Sequence, residues 1–329
     1  MRVPTTLVMV FALAGCSAAM NPSTPGAPMS PAMQASSASR AMPFAMPEKH
    51  LYTANRDGTS GVLLFRQQAN GDVAPSSKIA GSKTTLSDPD SLALDSAGNI
   101  YTANDGGTEI AIFAAGKHGN VKPSWIISGS KTLLGPTEGL FVDPSDNLYA
   151  TDFSSNAVRE FAAGKHGNIA PIRSIKGSKT QLATPTGMAM DSHGTLYVAN
   201  VHGGSVVAFA SNKKGNDAPS FVISGSNTGL QRPFALTFDS HGRLLVADET
   251  TGLIVFAKGA TGNATPVATI TGFGEATGVV TDAQDHIYVA NFGGSIAMFA
   301  SDANGPATPL RTIQGSKTLL DGACYLYLR

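Results

Sequence analysis

The sequence predicts an all-β protein, a six-bladed β-propeller of four-stranded blades, on three observations. Leu51-Tyr52-Thr53-Ala54-Asn55 recurs as Ile100–Asn104, Leu148–Asp152, Leu196–Asn200, Leu244–Asp248 and Ile287–Asn291, with a period near 48 residues. Each repeat holds four short apolar runs separated by turn residues and shows no helical periodicity. The chain ends on one further apolar run, Gly322–Leu328, that has no partner in its own repeat. A period of this length exceeds leucine-rich and ankyrin units and fits a propeller blade.

The chain begins with an address and a tether. Met1-Arg2 is a short positive segment and Leu7 to Ala14 a short apolar one, as in a secretory signal over residues 1–15. Leu13-Ala14-Gly15-Cys16 follows at once and resembles the lipobox of bacterial lipoprotein signals. The resemblance implies that the Cys16 thiol receives a diacylglycerol and fixes the exported chain to a membrane of the cell envelope, on its periplasmic or surface face. Ser17, rather than an aspartate, is consistent with outer-membrane sorting. Several acyl chains at about 0.8 kcal/mol per buried methylene make such an anchor durable. Residues 16–47 are rich in Ala, Ser, Pro and Met and nearly free of charge, the composition of a flexible tether.

The propeller is expected over residues 48–329. In the unit that starts at Pro136, an apolar run from Gly139 to Asp143 gives the inner strand, and Pro144-Ser145-Asp146 the turn. A second strand ends at Asp152, a third covers Ala157 to Phe161, and a glycine-rich hairpin leads to a fourth at Ile172 to Lys176. The first unit lacks an inner strand of its own. The unpaired C-terminal strand is expected to supply it, closing the ring and removing both sheet edges.

The pattern Pro185-Thr186-Gly187-Met188-Ala189-Met190-Asp191, then Leu196-Tyr197-Val198-Ala199-Asn200, resembles the NHL-repeat propellers. The resemblance spans the whole repeat region and implies the fold; propellers host enzymes, receptors and interaction platforms alike. Asp95, Asp143, Asp191, Asp239 and Asp282 end inner strands and are expected to accept N–H bonds from the turns that follow. Gly-Ser-Lys-Thr recurs at Gly81, Gly129, Gly177 and Gly315, but it lacks the upstream glycine and following helix of a phosphate loop.

Residues that break the repeat are the candidates for function. The residue before each inner strand runs Asp90, Glu138, Thr186, Phe234, Thr277 and Asp321. This places three carboxylates, Asp90, Glu138 and Asp321, on adjacent blades at the mouth of the central channel. Crowded carboxylates need a proton, a basic group or a cation, and oxygen ligands favour Ca²⁺, Mg²⁺ or Mn²⁺. Asn55, Asn104, Asp152, Asn200, Asp248 and Asn291 end the second strands nearby and are expected to ring the mouth with polar groups. The constellation resembles the metal site of gluconolactonase-type propellers, which implies a Glu/Asn/Asp ligand set; the order of ligand types here differs, and no catalytic base is assigned. Loops counted from Gly272 and from Gly315 are shorter than the rest, predicting a notch over the last and first blades.

Basic and acidic residues balance at 23 each, so no nucleic-acid partner is expected. Cys16 and Cys324 are too few for a disulfide framework. The sequence favours a non-enzymatic binding module, with a protein, glycan or small-molecule ligand on the loop-bearing face. The alternative is a metal-dependent hydrolase or lyase using Asp90, Glu138 and Asp321.

Overall fold

The computed structural model describes residues 49–329. The segments expected to be signal peptide and tether, with Cys16, lie outside the described residues. Six antiparallel four-stranded sheets make up the rest, one per blade. Among the described residues, no helix is long and apolar enough to cross a membrane.

Ring closure is as the repeat requires. The C-terminal strand Ala323–Leu328 pairs with His50–Asn55 and becomes the inner strand of blade 1. Even its last residue is held, since Arg329 N donates to His50 O at 3.0 Å. The inner strands of blades 2, 4, 5 and 6 are Pro89–Leu94, Pro185–Met190, Pro233–Phe238 and Ala276–Thr281. Blade 3 departs from the expected run: its inner strand is only Leu140–Val142. There Gly139 N donates to Thr151 Oγ1 at 2.8 Å and Thr137 N to Gly107 O of blade 2, so the strand frays just where Glu138 stands.

Packing explains the repeated residues. Each third strand carries a fully buried phenylalanine at its end or one residue before it: Phe65, Phe113, Phe161, Phe209, Phe256 and Phe299. Burying one such ring contributes about 1.5–3 kcal/mol, and the six lie between sheets all around the ring. The tyrosine of most second strands is also accounted for. Tyr101, Tyr149 and Tyr288 donate to Asp95, Asp143 and Asp282, and the same carboxylates accept the turn N–H four residues on. Blade 5 has Leu245 instead, and Arg243 takes over as the partner of Asp239.

The Gly-Ser-Lys-Thr motif proves to be a joint between blades. Thr132 Oγ1 donates to Gly129 O at 2.7 Å, and Lys131 N donates to Oδ1 of Asn168, on the outer hairpin of the next blade, at 2.8 Å. Gly129 has φ 113° and its missing Cβ would lie 2.6 Å from Asn168 Cγ, so only glycine allows this approach. The same hairpins add a short parallel bridge to the outer strand of the preceding blade at all six junctions, including Gly71 with Ile313 across the closure.

Candidate ligand site at the channel mouth

Inner strands start with a bulge, and the bulged residues ring the channel. In blade 2 the pairs Pro89 with Asn104 and Ser91 with Ala103 leave Asp90 unpaired; Phe234 and Thr277 are skipped likewise, and the ladder breaks around Thr186. Bulges of this kind re-aim a side chain, here into the mouth. In blade 1, Ala323 pairs with Asn55 and Leu326 with Thr53, matching Pro89 with Asn104 and Leu92 with Thr102. By this register Cys324 takes the place of Asp90, although here Cys324 pairs with Ala54 and the ladder skips Tyr325.

Asp321 falls outside this ring, which corrects the alignment drawn from sequence. Its N–H donates to Asn55 Oδ1 at 2.8 Å and its side chain is exposed on the rim. The resemblance of Asp321-Gly322 to Glu138-Gly139 misleads, because Gly322, at φ 68°, matches the left-handed loop positions Asp88 and Thr184 at φ 54° and 53°. The same register gives the Gly315 loop the length of its counterparts. Only the loop from Gly272 is short, so the notch lies between blades 5 and 6, and Phe273 packs into it against Phe299.

The six second-strand Asn and Asp residues turn away from the channel and clamp the rim loops. Asn55 bonds Asp57 O, Thr59 O and Asp321 N; Asn104 bonds Ser87 N and Thr85 O. Asp152 accepts from Ser154 and Ser155, Asn200 holds Ala183 N and Gln181 O, and Asp248 accepts from Gln231 N and Arg232 N. Asn291 holds Phe273 O and Gly293 N. Their polar atoms are engaged with loop backbone and, at Asp152 and Asn200, with serine hydroxyls as well.

The ring itself divides in two. Thr186 Oγ1 donates to Pro233 O at 3.3 Å and Thr277 Oγ1 to Ala323 O at 2.6 Å, so both hydroxyls are satisfied within the scaffold. Asp90 and Glu138 are different. Asp90, Asp105 and Glu138 each present an oxygen within 4.8 Å of the others. Asp90 is 1% exposed, and neither of its oxygens receives a backbone N–H or a hydroxyl; the Glu138 carboxyl and the weakly donating Cys324 thiol are its side-chain neighbours. Its nearest cation is Arg56, with Nη1 3.7 Å from Oδ2, while Nη2 of the same guanidinium pairs with exposed Asp105. Among the described residues, four buried side-chain polar atoms lack a partner: both Asp90 oxygens, Tyr325 Oη and Thr102 Oγ1. Three of the four sit at this mouth.

Electrostatics follow from burial. Loss of water, then the Glu138 charge, push the Asp90 carboxyl well above its ordinary range. Burial also raises Glu138. Burial, followed by the charge of Asp90, pushes the Cys324 thiol and the Tyr325 phenol well up, so both stay protonated. Beneath the mouth, Tyr325 borders an apolar channel cavity of about 290 Å³ lined by Leu92, Leu140, Met188, Leu236 and Val279.

Sequence reasoning missed Asp105, Cys324 and Tyr325. Asp105 follows Asn104 where other repeats have Arg56, Phe153, Val201, Glu249 and Phe292, a variable position that the repeat itself marks. The other two needed the register of the closing strand. His202 is exposed, with Nδ1 3.1 Å from Thr184 Oγ1, and takes no part in the acid cluster.

The sequence matches no family model and no curated protein. Solved structures similar to this chain are propellers of low identity. A protein of unknown function from Bacteroides caccae aligns over 85% of this chain and 98% of its own, with TM-score 0.60 and 11% identity. A chain of a nidogen/laminin complex aligns over the same shares, with TM-score 0.60 and 14% identity. A putative 6-phosphogluconolactonase from Bacteroides fragilis aligns over 88% of this chain and 100% of its own, with TM-score 0.59 and 14% identity. These likenesses establish the fold.

Proposed function

We propose that the protein is an exported, lipid-anchored binding module that takes a small ligand at the channel mouth around Asp90. One observation carries this reading: a carboxyl 1% exposed, on a rigid closed ring, with no backbone N–H or hydroxyl donor and only the Glu138 carboxyl and the Cys324 thiol beside it. A buried ionisable group left in that state costs stability, which a bound partner offsets. Thermal-shift titration of the mature chain in detergent against metal ions, sugars and amines tests it. A ligand that raises the wild-type midpoint by several degrees and leaves Asp90→Asn unmoved is the expected result; a complete panel with no Asp90-dependent shift sinks it. The anchor is tested by Cys16→Ser, which is expected to move the chain from the membrane fraction to the soluble or unprocessed one.

A second reading, a metal-dependent hydrolase or lyase, draws on the three oxygens within 4.8 Å. Asp90, Asp105 and Glu138 would hold a hard divalent ion, which supplies Lewis-acid polarisation of a carbonyl when bound. The donor set suits such an ion, but the Arg56 guanidinium lies on two of the three carboxylates and would have to leave them. Stoichiometric metal in the purified protein, lost in Glu138→Gln, would favour this reading over the first.

A further inference from the structure

The mouth already holds one cation, and it is only half engaged. Arg56 closes on Asp105 but stops 3.7 Å from Asp90, too far for a hydrogen bond. Among the described residues Glu138 forms no ion pair, and Arg56 acts on it only from farther off. The charged groups facing Asp90 are Glu138 from blade 3, Arg56 from blade 1 and Asp105 from its own blade; the titratable Cys324 and Tyr325 come from the closing strand. Glu249 of blade 5 stands farther off and is occupied by Arg232 at 2.6 Å. Four carboxyls thus meet two guanidinium groups, and the excess acid lies between Asp90 and Glu138.

The second observation is independent of the acids. Tyr325, 6% exposed, has a hydroxyl without a partner, and the acids that act on it most strongly are Asp90 and Glu138. Its ring packs on Phe234, with centroids 5.4 Å apart. Phe234 is the one aromatic residue of the bulge ring. Above it, Phe153, Val201 and Phe292 take the backbone position of Arg56, whose side chain does reach the mouth. Acid on one side and aromatic carbon on the other is the surrounding that favours an organic cation over a hydrated metal ion, because ring faces attract cations and apolar walls take the attached carbon.

We infer that the mouth binds a small organic cation, an ammonium or guanidinium bearing an apolar group, with its charge between Asp90 and Glu138 and its carbon against Phe234 and Tyr325. This rests on the ligand-binding reading of the same mouth. The ammonium N–H groups would donate to Asp90 and to Glu138, and Tyr325 Oη would accept or donate according to the ligand. Arg56 competes for the same acids.

Calorimetric titration of the mature chain with 2-phenylethylammonium, guanidinium, 2-phenylethanol, glucose and Ca²⁺ separates the outcomes. The ammonium is expected to bind at least tenfold more tightly than the matching alcohol and to lose at least tenfold in Asp90→Asn. Arg56→Ala is expected to tighten it severalfold, a gain that misfolding does not mimic; Asp239→Asn, on the opposite face, should leave it unchanged. Equal binding of the alcohol, or no binding of either cationic probe, overturns the inference. If glucose or Ca²⁺ then binds in an Asp90-dependent way, the ligand-binding reading survives and the cation is wrong. If nothing binds, both fail.

Discussion

The two faces of the ring each carry an acid cluster, and the two differ in what surrounds them. On the face opposite the mouth, Asp239, His241 and Asp285 bring ligand-type atoms within 4.8 Å of one another, as Asp90, Asp105 and Glu138 do at the mouth. Yet every acid there is answered. Asp239 accepts from His241 N, Arg243 N and Arg243 Nε, and Asp285 accepts from Ser240 N at 2.9 Å and Ser240 Oγ at 2.6 Å. Ser96 and Asp146 repeat the Ser240–Asp285 pair between blades 2 and 3. Satisfied acids fasten turns to neighbouring turns. At the mouth only Asp105 is paired, with Arg56; Asp90 receives no backbone N–H and no hydroxyl, and its neighbours are the Glu138 carboxyl and the Cys324 thiol. Proximity of acids does not distinguish a site from a joint; the partners do.

Stability measurements break this comparison if it is wrong. The largest effect is expected from Asp239→Ala, which strips a buried acceptor from two turn N–H groups and from Arg243. A loss of about 2–3 kcal/mol in chemical unfolding is expected. Asp90→Asn is expected to act in the other direction. It replaces a carboxyl that burial and the Glu138 charge force to take up a proton with an amide that needs none and can donate to Glu138, a gain of about 1–2 kcal/mol. If Asp90→Asn destabilised as Asp239→Ala does, Asp90 would be one more structural acid.

The strands, the blade count and the closure were legible because they repeat: a motif seen six times averages out local noise. The turn aspartates were legible for the same reason. The site was legible only in part. Asp90 and Glu138 could be picked because they depart from the repeat, but Asp321 was joined to them by a resemblance over two residues. Deciding between Asp321 and Cys324 needs the pairing of Asn55 with Ala323, a contact between the two ends of the chain. The outward aim of Asn55, Asn104, Asp152, Asn200, Asp248 and Asn291 is likewise a matter of loop backbone, which residue types do not reveal.

Opposite pH slopes sharpen the comparison. Ser240 Oγ–H, then Ser240 N–H, hold the Asp285 carboxyl below its ordinary range. A depressed acid contributes stability that is present above its unfolded value, about 4, and is lost as pH falls through the folded value. Asp90 is raised, chiefly by burial. Its folded form keeps a proton that the unfolded chain has released, so stability is full below about pH 4 and declines as pH rises toward the folded value. In chelator-treated protein, Ser240→Ala is expected to flatten the acid limb and Asp90→Asn the limb above it. An Asp90→Asn profile parallel to wild type at every pH would mean that the mouth carboxyl is solvated and ordinary.

The smallest expected effect asks whether satisfaction, rather than charge, makes a polar group structural. Asn168 is neutral and lies on the outer perimeter, yet its Oδ1 accepts Lys131 N at 2.8 Å and fills the space beside Gly129. Asn168→Ala removes one bond between two blades at an exposed site, for a loss of about 1 kcal/mol. On blade 6 the place of Asn168 is taken by Pro306, and the loop from Gly272 carries no Gly-Ser-Lys-Thr turn; Asn304, two residues earlier, accepts instead from an outer-strand N–H, that of Thr269 at 3.0 Å, as Asn70 does from Thr312. With no turn to fasten, Asn304→Ala is expected to cost less than half as much under the same unfolding conditions. Equal losses at the two positions would show that the joint resides in the hairpin alone, leaving the turn motif of the other five junctions without a mechanical role.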